Sequence, residues 1–266
     1  MIKNKIKILK KKFNKFEIDG YIVPKNDEYF SEYAKNDRLK TITKFSGSAG
    51  IAVILKKKNY LFVDGRYTIQ AYQESSKNFD IIEIHKKLPH KVIQNYNLGY
   101  DPSLFTNKTL KKYFAQNNLI SIGQNLIDEI SIFKEKITKP FYSLEKKIVG
   151  ETHQSKISKV VSFLNSKKAD FLFVSAPENV AWLLNIRGHD NPNSPIPNAR
   201  LIIDKNRKIR LFSEKKKTFN IIKEKKIKKD QVINNSEFLT TINQLSGRNF
   251  IIDNKTCSIF YEKIIK

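Results

Sequence analysis

Cysteine is almost missing from this sequence. Cys257 is the only one among 266 residues, which excludes an intrachain disulfide and any cysteine-based metal site. Histidine is nearly as scarce. His85, His90, His153 and His189 are the four, and no pair has the H-E-x-x-H spacing or another ligand pattern. Arginine is rare for so basic a chain: of 50 basic residues seven are Arg, at positions 38, 66, 187, 200, 207, 210 and 248, and the rest are Lys. The net charge of +24 invites a nucleic-acid reading. Proteins that read phosphate and bases favour the bidentate guanidinium, so a lysine-dominated excess reads instead as a solvated surface. Long apolar runs are also lacking. The longest clean ones, such as Ile51 to Leu55, are strand-sized, far short of the roughly 18 residues that span a bilayer. The basic start, Met1 to Lys12, is followed by no apolar h-region. The expectations are no membrane, no nucleic acid and a cytoplasmic location.

What is present suits folded α/β structure. An apolar content of 40% is enough for a real core. Ile2, Ile6, Leu9, Phe13 and Phe16 fall at helical spacing, and Gly20 to Pro24 reads as the strand that follows. Ile51 to Leu55 and Tyr60 to Val63 read as a strand pair around a Lys-Asn turn, with a helix from Gly65 to about Glu74. Strands and helices then alternate to Ile122. The weakly patterned stretch from about Ile130 to Thr152 reads as a linker. Beyond it the same logic returns: a helix over 157–164, a strand over 170–174, a helix opened by Pro177, and a hairpin over 199–212. "DGYIVP" at 19–24 and "ADFLFVSAP" at 169–177 each follow an amphipathic helix and end at proline, which predicts an internal duplication with a period of about 150 residues. The final "FYEKIIK" carries no helix stop signal, a hint of a fragment.

Three motifs stand out, each with a plain alternative. "FSGSAG" at 45–50 lacks the first glycine of a nucleophile elbow and precedes its strand, where a dinucleotide fingerprint follows one; a tight loop is the plainer reading. "DNPNSP" at 190–195 lacks the turn glycine of a calcium loop, and Leu201 stands where its bidentate Glu belongs, so it reads as a rigid loop. "LFVDGRY" at 61–67 runs an apolar strand straight into Asp64, Gly65 and Arg66. Asp64 can cap the following helix or orient the guanidinium. Arg66 is then either a strand-end arginine paired to a neighbouring acid or a charge held for a ligand.

"PKNDEYFSEYAKNDRLKTITKFSGSAGIAVI" together with "LFVDGRYTIQAYQ" resembles the N-terminal domain of the large Xaa-Pro aminopeptidases of the creatinase/prolidase family. "NLIDEI" at 125–130 resembles the end of that domain, and "PENVAWLLNIRGHDNPNSPIPNARLII" at 177–203 is similar to a segment of the second domain. The resemblance implies an α/β fold of two related creatinase-N-terminal-like domains, each a mixed sheet flanked by helices with a ribonuclease-H-like motif. The expected division is 1–130 for the first, 131–155 for a linker and 156–266 for the second, stopping short of the catalytic pita-bread domain. It also implies two divalent metals, usually manganese, in that missing domain, no cofactor and no metal or catalytic residue in this chain, an X-Pro peptide as partner, and a homodimeric full-length enzyme. Arg66 corresponds to the family arginine that contacts the bound peptide. The chain departs from the pattern at Lys44, where the family has glycine, at Tyr29, where it has histidine, and at His189, where it has a small polar residue. A stand-alone binding module of the same fold is the rival reading, and a basic nucleic-acid binder the next.

Overall fold

The computed structural model describes residues 2–34, 36–133 and 139–266. The chain divides into two compact units, Met1–Glu135 and Lys136–Lys266.

The first unit opens with helix α1 (Ile2–Lys11), which buries Ile2, Ile6 and Leu9 and turns its lysines outward. The chain reverses at Glu17 in the left-handed region (φ 52°) and enters β1 (Gly20–Pro24), buried over its whole length. Helix α2 (Arg38–Thr43), β2 (Gly50–Leu55), β3 (Asn59–Val63), helix α3 (Thr68–Ser75) and β4 (Asp80–Glu83) follow. β5 (Asn97–Tyr100), helix α4 (Asn107–Phe114) and β6 (Asn118–Ser121) complete it. The sheet has six strands in the order β4-β3-β2-β1-β5-β6. β1, β2 and β3 are antiparallel neighbours, whereas β3–β4, β1–β5 and β5–β6 are parallel. A central strand covered on both faces must be apolar throughout, which is what Tyr21, Ile22 and Val23 supply.

The second unit begins with β7 (Tyr142–Ser143), helices α5 (Lys146–Val149) and α6 (His153–Ser166), and β8 (Phe171–Val174). Helix α7 (Pro177–Leu184), β9 (Ile186–Arg187), β10 (Arg200–Asp204), β11 (Ile209–Phe212) and helix α8 (Phe219–Lys223) come next. β12 (Val232–Ile233), helix α9 (Phe238–Asn243), β13 (Phe250–Ile252) and helix α10 (Ile259–Ile265) end it. Its main sheet runs β12-β11-β10-β8-β13, and β7 pairs with β9 in a separate ribbon. β8 is antiparallel to β10 and parallel to β13, just as β1 is antiparallel to β2 and parallel to β5. The duplication read from "DGYIVP" and "ADFLFVSAP" is therefore a duplication of sheet topology, minus the strand corresponding to β6.

A shared clamp marks the repeat at the level of atoms. Asp19 accepts from the Asn97 amide at 3.0 Å and binds the Lys56 ammonium at 2.9 Å. Asp170 accepts from the Asn249 amide at 3.1 Å and binds Lys205 at 2.8 Å. Each aspartate ties the entry of the central strand to the exit of its antiparallel neighbour and to the start of its parallel one.

The linker expected over 131–155 is, from residue 139 on, built into the second unit. Phe141 is fully buried in that unit's core, Leu144 donates its amide to Asn185 O at 3.1 Å, and α6 starts at His153. Residues 134–138 of the expected linker lie outside the described residues. The helix expected from Gly65 starts as a single 3-10 turn, Gly65–Tyr67, before α3 begins at Thr68.

Candidate functional site

β3 brings Leu61, Phe62 and Val63 through the core and releases the chain at Asp64. The Asp64 carboxylate accepts from the Arg66 amide at 3.0 Å and from Arg66 Nε at 2.8 Å, so it both closes the turn and orients the guanidinium. That pairing holds the Asp64 carboxyl below its ordinary pKa. The Arg66 side chain is 71% exposed, and its two terminal nitrogens make no hydrogen bond among the described residues. Its carbon lies 5.4 Å from the centre of the Tyr67 ring. Among the described residues the sole acid paired with Arg66 is thus local and occupies only Nε; the two terminal nitrogens, with four N–H donors in one plane, remain exposed.

The glycine-bearing loop at 45–50 buttresses this turn. The Tyr67 hydroxyl and Ser48 Oγ are 2.8 Å apart, and the Phe45 ring meets Tyr67 edge-on with centroids 5.9 Å apart. Ser46 donates from its amide and its hydroxyl to Glu74, both at 2.7 Å, and Gln70 donates to Ser46 Oγ at 2.7 Å. A Cβ on Gly47 would enter the Phe45 ring and lie 2.9 Å from Tyr67, which explains the glycine. Lys44, where glycine was expected, ends α2 in the left-handed conformation (φ 72°) with its amide on Lys40 O at 2.8 Å. "FSGSAG" is therefore a structural loop, and "LFVDGRY" and "FSGSAG" form one assembly.

The acid-rich segment is organised by Asp27, whose carboxylate accepts from the amides of Tyr29 and Ser31 at 2.9 and 3.0 Å. Arg38 from the same stretch is 6% exposed and grips Asp128 of "NLIDEI" through two bonds of 2.7 and 2.8 Å, with Glu28 at 2.6 Å. Burial alone would lower the Arg38 pKa; the Asp128 hydrogen bonds and the Glu28 charge outweigh it and raise the value. Asp128 lies 90 positions from Arg38, and sequence reading missed the pairing.

In the second unit, the segment 177–203 folds as helix, left-handed cap and loop. Asn185 (φ 55°) ends α7, and Lys156 donates to Asn185 Oδ1 at 2.6 Å and to Trp182 O at 2.7 Å. The Lys156 ammonium stands 4.2 Å from the centre of the Trp182 ring. Asp190 of the "DNPNSP" loop accepts from the Asn198 amide and from the buried Lys217 ammonium, both at 2.7 Å. An acid spent on a buried lysine is a loop anchor. His189 stacks on Tyr142 with centroids 5.1 Å apart. A Cβ on Gly188 would lie 2.7 Å from Pro197 Cα, so only glycine lets the two backbones meet.

Among the described residues, no group of three or more His, Cys, Asp and Glu side chains is placed to hold a metal ion, and no helix is long and apolar enough to cross a membrane.

Comparison with known proteins agrees with this architecture. Residues 5–130 match one family model described as the creatinase/prolidase N-terminal domain, and residues 134–266 match a second model of the same description. Among curated relatives, mouse Xaa-Pro aminopeptidase 2 is 32% identical over 228 residues, covering 78% of this chain and 33% of the relative. Xaa-Pro aminopeptidase 1 of Dictyostelium discoideum is 31% identical over 241 residues, covering 81% of this chain and 38% of the relative. The chain thus spans about a third of the length of the relatives it matches. Among solved structures, the X-prolyl aminopeptidase of Caenorhabditis elegans, described as a cytosolic enzyme with a di-nuclear active site, superposes with a TM-score of 0.86 at 24% identity over all of this chain and 49% of that one. The two family matches fill the described sheets one after the other, and the chain belongs to the creatinase/prolidase N-terminal domain family, carrying that domain twice.

Proposed function

We propose that these residues are the N-terminal, non-catalytic portion of a metal-dependent Xaa-Pro aminopeptidase, which releases the first residue of X-Pro peptides. The two units shape access to a catalytic domain outside the 266 residues, and Arg66 contacts the peptide. The observation that carries this reading is the exposed guanidinium, fixed through Nε and, among the described residues, without a hydrogen bond at either terminal nitrogen. Such a fork suits a peptide carboxylate or carbonyl oxygen. The family resemblance adds two divalent metals, manganese, in the catalytic domain and a homodimeric full-length enzyme; composition and charge add a cytoplasmic location and no nucleic-acid or membrane partner. Among the described residues no group of three or more His, Cys, Asp and Glu side chains is placed to hold a metal, and this reading puts both metals in the catalytic domain. The chain's own part in the reaction is to bind and orient the peptide, and to position Arg66 through Asp64 and Tyr67.

Two measurements test this. Supplied with manganese and an X-Pro tripeptide, the 266-residue chain gives no turnover; clear turnover would overturn the non-catalytic assignment. In the longer enzyme that carries these domains, Arg66→Ala removes a charge-assisted contact of ~1.5–3 kcal/mol and lowers kcat/KM by about tenfold or more. An unchanged kcat/KM removes Arg66 from the substrate site.

A further inference from the structure

We propose that the hollow between α8 and β12 is a docking site for an acidic, amphipathic segment of a partner polypeptide, one that sets large apolar side chains among Asp and Glu. The hollow lies wholly within the second unit, and the proposal does not rest on Arg66.

The hollow has a volume of about 940 Å³. Its apolar wall is built from Phe219 and Ile222 of α8 and Val232 of β12. α8 is five residues long and follows a single 3-10 turn, Lys215–Lys217. That short helix buries Ile221 in the core and leaves Phe219 67% exposed, with most of its ring outside the unit's own core. Single exposed apolar residues are ordinary on a protein surface. An exposed aromatic ring on the wall of an apolar hollow is different, because it is the arrangement of an interface anchor. β12 is an edge strand of its sheet, so among the described residues no further strand covers that side.

The charged lining is of nearly one sign. Lys215 and Lys216 precede α8, Lys223 ends it, and Lys229 opens the 3-10 turn Lys229–Gln231 before β12. Asp230 is the one acid among the described residues of the lining. Lys216 pairs with Glu214 at 3.2 Å, whereas the ammonium groups of Lys215, Lys223 and Lys229 make no hydrogen bond or ion pair among the described residues. Over 214–230 the sequence has eight Lys against three acids, so the positive field at the hollow is not neutralised locally.

The kind of occupant follows from this combination. Cations from three separate elements suit acids spaced along a segment better than the single charge of a small ligand. An apolar wall among them suits large side chains set on one face, as in an amphipathic helix laid in a groove. A second copy of this chain brings like charge, since basic residues number 50 and acidic ones 26. A nucleic-acid strand would find one ring to stack on, aliphatic side chains beside it and, among the described residues of the lining, no arginine. A membrane surface is flat, and a concave hollow keeps Ile222 and Val232 out of its reach.

The test is fluorescence anisotropy of a labelled peptide of about twelve residues, with Leu and Phe at i and i+4 among glutamates, added to the 266-residue chain at about 150 mM sodium chloride. The expected result is saturable binding with a Kd below about 100 μM. Replacing the glutamates by glutamine, or Leu and Phe by serine, weakens it by about tenfold or more in each case. In the chain, Phe219→Ala and Lys223→Glu each weaken binding by about tenfold. Both side chains are exposed, so an unchanged urea midpoint shows that the fold is kept. Binding that stays linear to about 1 mM, a serine-substituted peptide that binds as well, or unaltered binding by Phe219→Ala overturns the site. A concentration-dependent dimer lost in Phe219→Ala assigns the hollow to a second copy. Tighter binding of a thymidine oligonucleotide or of phosphatidylserine vesicles, lost in the same variant, assigns it to nucleic acid or to a membrane. Each of these results overturns the proposal. In the longer enzyme that carries these domains the peptide binds with equal affinity; loss of binding there places the enzyme's own remainder on the hollow and overturns a separate partner.

Discussion

Lys44 and Lys225 occupy left-handed backbone that costs an L-residue about 1–2 kcal/mol and a glycine almost nothing. Lys44→Gly is therefore expected to raise stability by about 1 kcal/mol, read as a higher urea midpoint at unchanged m-value. The opposite holds at Gly47 and Gly188, whose added Cβ atoms would strike the Phe45 ring and the Pro197 backbone. Alanine at either position is expected to cost about 1–3 kcal/mol. The Gly188 variant is the more damaging, because a backbone cannot swing aside as a ring can. The Arg66 side chain is 71% exposed and its ion pair with Asp64 is a surface one, so its replacement is expected to move the urea midpoint little, and a change in kcat/KM reports contact with the peptide.

Elements are tied together by a small number of ionic clasps, and each has an asymmetry that can be measured. Arg38 is buried, whereas its partners Glu28 and Asp128 are 41% and 39% exposed. Deleting Asp128 leaves a cation short of partners out of water, whereas deleting Arg38 leaves two carboxylates that water can reach. Asp128→Ala is expected to destabilise the first unit by about 2–3 kcal/mol and Arg38→Met by clearly less; chemical denaturation of both variants ranks them. Strands of five or six apolar residues and helices with repeated buried positions were legible from sequence because their period is local. α2 was not: six residues following a polar stretch offer too few turns for a period to show. Nor were β7, β9 and β12, each two residues long. At the candidate site, Arg66 and its Asp64 partner could be read because they are adjacent. The buttress could not, since Ser48–Tyr67 and Ser46–Glu74 join residues 19 and 28 positions apart.

The whole molecule is one sheet plan used twice, each copy around its own core. Each unit is therefore expected to fold by itself, and a polypeptide of residues 139–266 alone gives a cooperative thermal transition. Acid should undo both copies through the same clamp. The Asn97 amide and Lys56 hold Asp19 below its ordinary pKa, and Lys205 and the Asn249 amide do the same for Asp170. The folded values lie below the unfolded ones, so the unfolded chain binds more protons as the pH falls. Stability present above about pH 4 is lost as the pH drops through the depressed values. His153 acts with the same sign earlier, its depressed value weakening the second unit once the pH falls below about 6.5. Denaturation midpoints measured from pH 7 down to 3, with Asp19→Asn and Asp170→Asn alongside, check both steps.

Trp182 is the sole indole in the sequence, and a lysine ammonium sits against its face. Emission excited at the red edge of the absorption band therefore comes from the second copy alone, while circular dichroism sums both. A single cuvette can follow one half of a duplicated protein with the other as its internal reference, and no probe has to be attached.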